Sequence, residues 1–173
     1  MVMFELAVSI EADWPSQSGY SPQSDWELWS SLAVQVIALS APELANSRLS
    51  ASLLLADDAE VQALNREWRG RDQPTNVLSF PMLARAELLA LAPEGPPELL
   101  GDIALALETC TREAGEKGIS LDHHAAHLII HGLLHLAGYD HETSPEDAAA
   151  MEALEIKALA LMGIADPYGD HAA

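Results

Sequence analysis

Three histidines in the C-terminal third of the chain have the spacing of a metal site. His131 and His135 lie four residues apart in a stretch that predicts a helix, so their side chains project from one face, about a turn apart. Gly138 predicts a turn that ends the helix, after which His141 can approach the same point from outside. Three neutral imidazoles with a fourth position left to water are typical of catalytic zinc, because structural zinc sites usually have four protein ligands. The spacing therefore predicts one zinc ion on His131, His135 and His141.

The same spacing occurs in the H-E-x-x-H-x-x-G-x-x-H signature of metzincin peptidases, whose glutamate is the general base. Gly132 stands at the position of that glutamate, so the sequence favours zinc but argues against standard proteolysis. His127 continues the stripe one turn earlier and is expected to orient a ligand, touch a substrate or simply pack in the helix. His123 and His124, near the helix start, are expected at the exposed surface. Asp140 could hold a ligand imidazole or cap the backbone, and the sequence leaves both open.

A second set of candidate residues forms a cationic cluster. Arg66, Arg69 and Arg71 are three of the eight Lys and Arg residues, and they lie within six positions beside Trp68, an aromatic that can stack. A guanidinium suits phosphate because its planar fork binds two oxygens. Arg66 also fits the alternative of complementing the dipole of a helix C-terminus, whereas Arg69 and Arg71, in a glycine-broken turn, fit phosphate contact better.

The overall charge excludes a general electrostatic binder of nucleic acid. The 173 residues include 27 Asp and Glu against eight Lys and Arg, for a formal net charge of −19. Neither DNA nor a membrane is expected as a partner, and a polyanionic substrate must meet the local cluster. The single cysteine, Cys110, excludes an internal disulfide. No segment approaches the roughly 18 apolar residues of a membrane span and residues 1–10 lack a basic signal region, so a cytoplasmic location is expected.

The elements that must position these residues follow from hydrophobic periodicity and capping signals. Apolar alternation or short apolar runs predict strands at 4–10, 48–56, 77–80 and 100–107. Helical spacing predicts helices at 24–37, 57–68, 108–117, 122–137 and 144–162, with Ser24 as the cap of the first. Pro81 favours a sheet edge for the third strand. The prediction is an α+β (α/β-like) fold in one domain over 1–173, a small mixed sheet packed with about five helices and the zinc site at the end of a central helix.

The two stretches together resemble the YbeY family of bacterial metal-dependent endoribonucleases. The resemblance rests on three motifs, which cover the central and C-terminal thirds of the chain: L-N-x-x-W-R-G-x-D-x-P-T-N-V-L-S-F-P at 64–81, G-D-I at 101–103, and H-L-x-x-H-G-x-L-H-L-x-G-Y-D-H at 127–141. The histidine motif is specific in this combination, far more than any one part of it.

The resemblance implies zinc on His131, His135 and His141, with His131 also needed for activity, and a catalytic Arg69 that takes part in RNA cleavage. Family members act on single-stranded RNA, in maturation of the 3′ end of small-subunit ribosomal RNA and in ribosome quality control. The implied partners are therefore ribosomal RNA and the ribosomal small subunit or its proteins. Trp68 stands where a tyrosine is expected, which preserves stacking and loses a hydroxyl.

Three functions remain open at this stage. The leading one is a zinc-dependent endoribonuclease in which Arg69 stabilises charge on the phosphate, with Asp72, Asp140, Glu142 or a hydroxide on the zinc as base. A non-catalytic, zinc-containing ribosome assembly factor is the second, since a −19 surface suits basic ribosomal proteins. A zincin-like hydrolase of another substrate, such as a peptide, is the third. Asp102, at a strand start, either faces the zinc cleft or bonds the backbone of a turn.

Overall fold

The computed structural model describes residues 4–16 and 21–168. Four strands lie in these ranges: β1 (Glu5–Ile10), β2 (Leu49–Ala56), β3 (Val77–Pro81) and β4 (Glu98–Ala106). Six helices accompany them: α1 (Pro22–Ser40), α2 (Asp58–Arg69), α3 (Arg85–Leu89), α4 (Leu107–Lys117), α5 (Leu121–Leu136) and α6 (Pro145–Leu161). None of the helices in the described ranges is long and apolar enough to cross a membrane.

The strands form one mixed sheet in the order β1-β2-β4-β3. β1, β2 and β4 are parallel, whereas β3 is antiparallel to β4 and lies at the edge. This arrangement confirms the predicted α+β fold and the edge position of the strand that contains Pro81. The amide of Met82 and the carbonyl of Asn76 bond to β4, so alternation leaves the backbone groups of Val77 and Ser79 on the free side of β3.

The main hydrophobic core lies on one face of the sheet, under α1, α5 and α6. Leu53, Leu55 and Ile103 supply strand side chains with less than 2% exposed, and Ile129 and Leu133 of α5 pack against that layer. The opposite face carries a smaller cluster, under α2. Its members are Ala56, Val61, Leu78, Ala104 and Ala106, with Leu54, Leu64 and Phe80 packed against them. The two faces of the sheet are therefore covered by different helices, and most residues of α5 are buried in the main core.

Two helix details differ from the prediction. Ser21, not Ser24, caps α1, because its hydroxyl accepts from the amide of Ser24 at 3.3 Å and Pro22 opens the first turn with its φ already helical. The five-residue helix α3 was not predicted, since so short a segment carries no measurable apolar period. The other strand and helix ends lie within two residues of the predicted ones, apart from the C-terminal end of α1.

Two glycines mark close approaches that set the position of α5. A Cβ at Gly101, whose φ is 151°, would lie 2.4 Å from the carbonyl oxygen of Phe80 and 2.7 Å from Cδ2 of Leu136 at the end of α5. A Cβ at Gly132 would lie 3.0 Å from Cδ1 of Ile103. The C-terminal half of α5 therefore lies against β4 beside β3, at the edge of the sheet.

We expect Gly101→Ala to lower the free energy of unfolding by about 1–3 kcal/mol, because backbone oxygen and a core side chain occupy the space that the new methyl needs. Urea unfolding measures this loss. Gly115→Ala in α4 is the matched control, since its Cβ would meet nothing within 4 Å, and it should gain about 0.5–1 kcal/mol from helix propensity. Equal effects of the two substitutions would contradict the close approach.

Candidate metal centre

The three histidines predicted as ligands lie together at the C-terminal end of α5. One nitrogen from each of His131, His135 and His141 lies within 4.8 Å of the other two. The ring centroids are 4.6 Å apart for the two helix histidines, and His141 lies 5.2 and 5.1 Å from them. His131 and His135 are half-buried, whereas His141 is exposed. The arrangement can hold one metal ion with an open side toward solvent.

The turn that brings His141 back to the helix depends on Gly138. This residue has a φ of 95°, in the left-handed region, and a Cβ there would lie 2.6 Å from Cβ of Arg85. The guanidinium of Arg85 donates to the carbonyl oxygen of Ala137 at 2.7 Å, which satisfies a backbone acceptor at the helix end. The predicted glycine stop is therefore present, and α3 packs where a side chain would otherwise stand.

A clamp of three side chains, Arg85, Tyr139 and Glu43, fixes the same turn. The guanidinium of Arg85 lies 3.1 Å from the Glu43 carboxylate and 4.5 Å above the Tyr139 ring. The Tyr139 hydroxyl donates to Glu43 at 2.7 Å. Burial alone would raise the pKa of Glu43, but hydrogen bonds from Tyr139, the backbone and Arg85 outweigh it and lower the pKa. The clamp is therefore charged at neutral pH and ties the turn to α3 and to the segment after α1.

Glu155, a carboxylate of α6 that the sequence analysis did not single out, orients His131. It has no exposed surface, and its Oε2 accepts from Nδ1 of His131 at 3.0 Å. Its other oxygen accepts from Nε2 of His127 at 3.1 Å and from the hydroxyl of Tyr168. Burial alone would raise the pKa of Glu155, but the hydrogen bonds from His127, His131 and Tyr168 lower it to about 2. Because Nδ1 of His131 carries the donated proton, Nε2 keeps a lone pair for a metal.

The chemistry of the donor set fits zinc. Burial, and then the neighbouring rings of His131 and His141, lower the pKa of His135 to about 4, so this imidazole is neutral at pH 7. Cys110, the only cysteine of the chain, is fully buried in the core, and burial raises the pKa of its thiol to about 12. Three imidazoles without a thiolate, one of them bonded to a carboxylate through its outer nitrogen, are a set that suits zinc.

The earlier histidines of α5 have structural partners. His127 is 8% exposed and bonds to Glu155, so it supports the carboxylate that holds His131. The expectation that His124 lies at the surface is wrong, because its ring is 1% exposed and donates to Glu113 at 2.8 Å. His123 is half-buried and stacks on Trp29, with ring centroids 6.4 Å apart. The cause is that α1 and α4 both pack on the first turns of α5.

Two aspartates that the sequence left open are resolved by their contacts. Asp140 is exposed and accepts from the amide of Glu142 at 2.8 Å, which is the backbone-capping role. Asp102 accepts from the Ser52 hydroxyl at 2.5 Å inside β4, and it lines a groove on the sheet face opposite the histidines. Both hypotheses for Asp102 are therefore wrong, since Ile103 takes the α5 side of the strand and its neighbour must point away.

The histidines open into a cleft of about 600 Å³, which we call the histidine cleft. The histidine triad, Arg69, the β3 residues Val77–Ser79, and the turn residues Tyr139–Glu142 line it. The guanidinium of Arg69 donates to the carbonyl of Ser79 on the free edge of β3 and lies 5.2 Å from the centroid of the Phe80 ring. Of the three clustered arginines, all within the described residues, only Arg69 lines the cleft, and Arg66 pairs instead with Asp72 at 3.5 Å.

Comparison with known proteins gives one consistent family. The model described as "Endoribonuclease YbeY" matches residues 18–163. Proteins named Endoribonuclease YbeY from Erythrobacter litoralis and Novosphingobium aromaticivorans are 63% and 62% identical, over 86% and 83% of this chain and 92% and 87% of their own. The protein of that name from Sphingopyxis alaskensis is 49% identical over 97% of this chain and 99% of its own. The solution structure of TM1509 from Thermotoga maritima shares the fold, with a TM-score of 0.55 at 20% identity over 95% of this chain and 99% of that one.

We expect Glu155→Gln to weaken metal affinity by about 10- to 100-fold, because the substitution replaces the charged carboxylate that accepts a hydrogen bond from Nδ1 of His131 by a neutral amide. Competition with a chromophoric chelator measures the affinity, and circular dichroism of the metal-free variant checks that the fold persists. Glu146→Gln, an exposed position in the same helix, makes the same charge change and should keep the wild-type affinity. A folded Glu155→Gln protein that holds metal as tightly as the wild type would contradict this role.

Proposed function

Because the chain belongs to the endoribonuclease YbeY family, we propose that it is a metal-dependent endoribonuclease that hydrolyses phosphodiester bonds in single-stranded RNA. One observation supports this above the others: the histidine triad and Arg69 line the same open cleft, beside the free edge of β3. A metal that polarises a phosphoryl oxygen and a guanidinium that binds phosphate can both stabilise the charge that develops during phosphodiester hydrolysis.

The metal in this proposal is zinc, one ion per chain, held by His131, His135 and His141. The neutral imidazole of His135 supports this choice, because zinc binds the lone pair of an imidazole nitrogen. The hydrogen bond from His131 to Glu155 also supports it, because a carboxylate behind the ring fixes the orientation of the imidazole that binds the metal. When bound, zinc would lower the pKa of a water molecule or polarise a phosphoryl oxygen.

Arg69 is the proposed phosphate-binding residue of the cleft. Its bond to the Ser79 carbonyl and its position over the Phe80 ring hold the planar guanidinium at the strand edge. A guanidinium has five N–H donors and stays charged at any working pH, so donors remain for the oxygens of a phosphate whose charge grows in the transition state. His131, as ligand and catalytic residue, is positioned from the other side by Glu155.

Of the carboxylates considered as the proton acceptor, two line the histidine cleft and one does not. Asp140 and Glu142 line the histidine cleft, whereas Asp72 lies outside it and bonds to Gln62 and Arg66. Hydrogen bonds from the Glu142 amide and the Thr143 hydroxyl lower the pKa of Asp140, so this carboxylate is ionised near neutral pH. We therefore place the protein-side base at Asp140 or Glu142.

Ribosomal RNA, at the 3′ end of its small-subunit species, is the substrate we propose, and the cytoplasm is the proposed location. The formal net charge of −19 repels free RNA at long range but attracts basic ribosomal proteins, so docking on the small subunit would bring the cleft to its substrate. We also propose that residues 1–173 act as one domain, since α6 packs on α1 and α5 and shares one hydrophobic core with the sheet. A non-catalytic assembly factor, the second function considered above, would use the same docking without cleavage.

We expect a labelled single-stranded RNA to be cleaved by the zinc-loaded protein and left intact after chelation or with His131→Ala. Arg69→Ala should keep its zinc, because Arg69 is not a metal ligand. Its cleavage rate should fall by about 10²- to 10³-fold, because the substitution removes a hydrogen-bond donor to the charge that develops on the phosphate. Arg112→Ala on the surface of α4, which pairs with Glu116, removes the same charge and should cleave normally. Cleavage by the metal-free protein, or a fully active Arg69→Ala, would contradict the proposal, and zinc binding with no cleavage at all would favour the assembly factor.

The salt dependence of RNA binding should be shallow, because the three arginines of the 66–71 cluster are the expected phosphate contacts and, of these, Arg69 lines the cleft. Each phosphate neutralised on a single strand contributes about −0.7 to the slope of log affinity against log salt. If Arg66, Arg69 and Arg71 all bind phosphate the slope is about −2, and Arg69→Ala should make it shallower by about 0.7. A slope that the substitution leaves unchanged would place the phosphate contact elsewhere.

A further inference from the structure

An apolar groove of about 640 Å³ lies on the other side of β3, on the sheet face opposite the histidines. Leu64 and Trp68 of α2 line one side of it, and Phe80 and Met82 at the end of β3 line another. We call this the sheet-face groove. Trp68 is 66% exposed and Met82 is 61% exposed, so large apolar side chains face solvent at its mouth. Exposed apolar patches of this kind mark binding surfaces.

The sheet-face groove and the histidine cleft meet at Arg69. Its guanidinium lines the cleft, yet its Cζ lies 5.2 Å from the ring of Phe80, which lines the groove. Strand alternation explains the junction, because Ser79 points its side chain to the cleft and Phe80 points to the groove. A strand of RNA that crosses the free edge of β3 would therefore pass Arg69 with its backbone and reach the groove with a neighbouring base.

The residues that line the groove favour an RNA base over a phosphate group as its occupant. Its lining is mainly apolar, and its one charged lining residue in the described ranges is the carboxylate of Asp102, which accepts from Ser52 on the floor. A phosphate would be repelled there, whereas the flat face of a base can stack on an indole and contact a thioether. The arginines of the 66–71 cluster lie at the same end of α2 as Trp68, where the backbone of the strand would pass.

We propose that the sheet-face groove binds one unpaired base of the RNA beside the phosphate held at Arg69, with Trp68 as its stacking platform. The proposal rests on the proposed function and adds a subsite that any base can occupy, because every base has a face to stack. It also explains why cleavage would require a single strand, since a paired base is not free to leave its stack for the groove. An apolar or basic peptide is the less favoured occupant, because the arginines beside Trp68 would repel a basic peptide and an apolar peptide would make no use of their charge.

The test couples a change in the protein to a change in the RNA. The probe is a fluorescently labelled, phosphorothioate single-stranded RNA of about 10 nucleotides, bound to the full-length, zinc-loaded protein and followed by anisotropy. A single abasic nucleotide is moved along the probe, one position at a time. In wild type, one position should weaken binding by about 5- to 150-fold, the range for loss of one base–aromatic stack.

Trp68→Ala should weaken binding of the intact probe by a similar factor and should abolish the penalty at that abasic position. Trp68→Phe should restore most of the affinity for the intact probe and most of the abasic penalty. Leu28 is an equally exposed apolar side chain on α1, and Leu28→Ala should change neither quantity. A Trp68→Ala protein that binds the intact probe normally, or that keeps the full abasic penalty, would overturn the base subsite and leave the groove to a peptide partner. Since binding is measured on a cleavage-resistant probe, absence of RNA cleavage by the wild type would refute the proposed function without deciding the subsite.

Discussion

A carboxylate with no exposed surface needs hydrogen-bonded partners, and in this chain that requirement joins α5, α6 and Tyr168 in the segment after α6. An unpaired buried charge costs several kcal/mol, so Glu155 holds His127, His131 and Tyr168 in one arrangement. The arrangement has a direct chemical result. Because Nδ1 of His131 is committed to Glu155, Nε2 is the nitrogen that keeps a lone pair for a metal shared with His135 and His141.

The same packing explains why this centre differs from that of a peptidase with similar histidine spacing. Gly132, at the position where such enzymes carry a glutamate, lies against Ile103 of β4, and even a Cβ there would be crowded at 3.0 Å from Cδ1 of Ile103. The close contact that excludes a base there also brings the end of α5 beside β3. As a consequence, the edge strand and Arg69, rather than a carboxylate on the helix, face the histidines, which suits a phosphate substrate better than a peptide.

Local patterns predicted the parts of the site that lie close together in the chain. The four-residue spacing of His131 and His135 and the glycine stop before His141 depend on one helix and one turn, and the structure has both. Glu155 could not be predicted as a partner, because it comes from a separate helix and no short-range pattern relates the two. One signal was present: Glu155 stands four residues after buried Met151, at an apolar position of α6, where a charge implies a buried partner. The burial of His124 and the contact of Arg85 with Glu43 depend in the same way on packing between distant segments.

Three imidazoles, assembled by α5 and the turn after it, are proposed to hold a single zinc ion. X-ray absorption spectroscopy of the zinc-loaded protein at neutral pH tests this directly, because it reports the type and distance of the atoms bound to the metal. We expect three imidazole nitrogens at about 2.0–2.1 Å from the zinc, completed by a light atom from water, with no sulfur. A sulfur shell near 2.3 Å, or a first shell with fewer than three imidazoles, would contradict it.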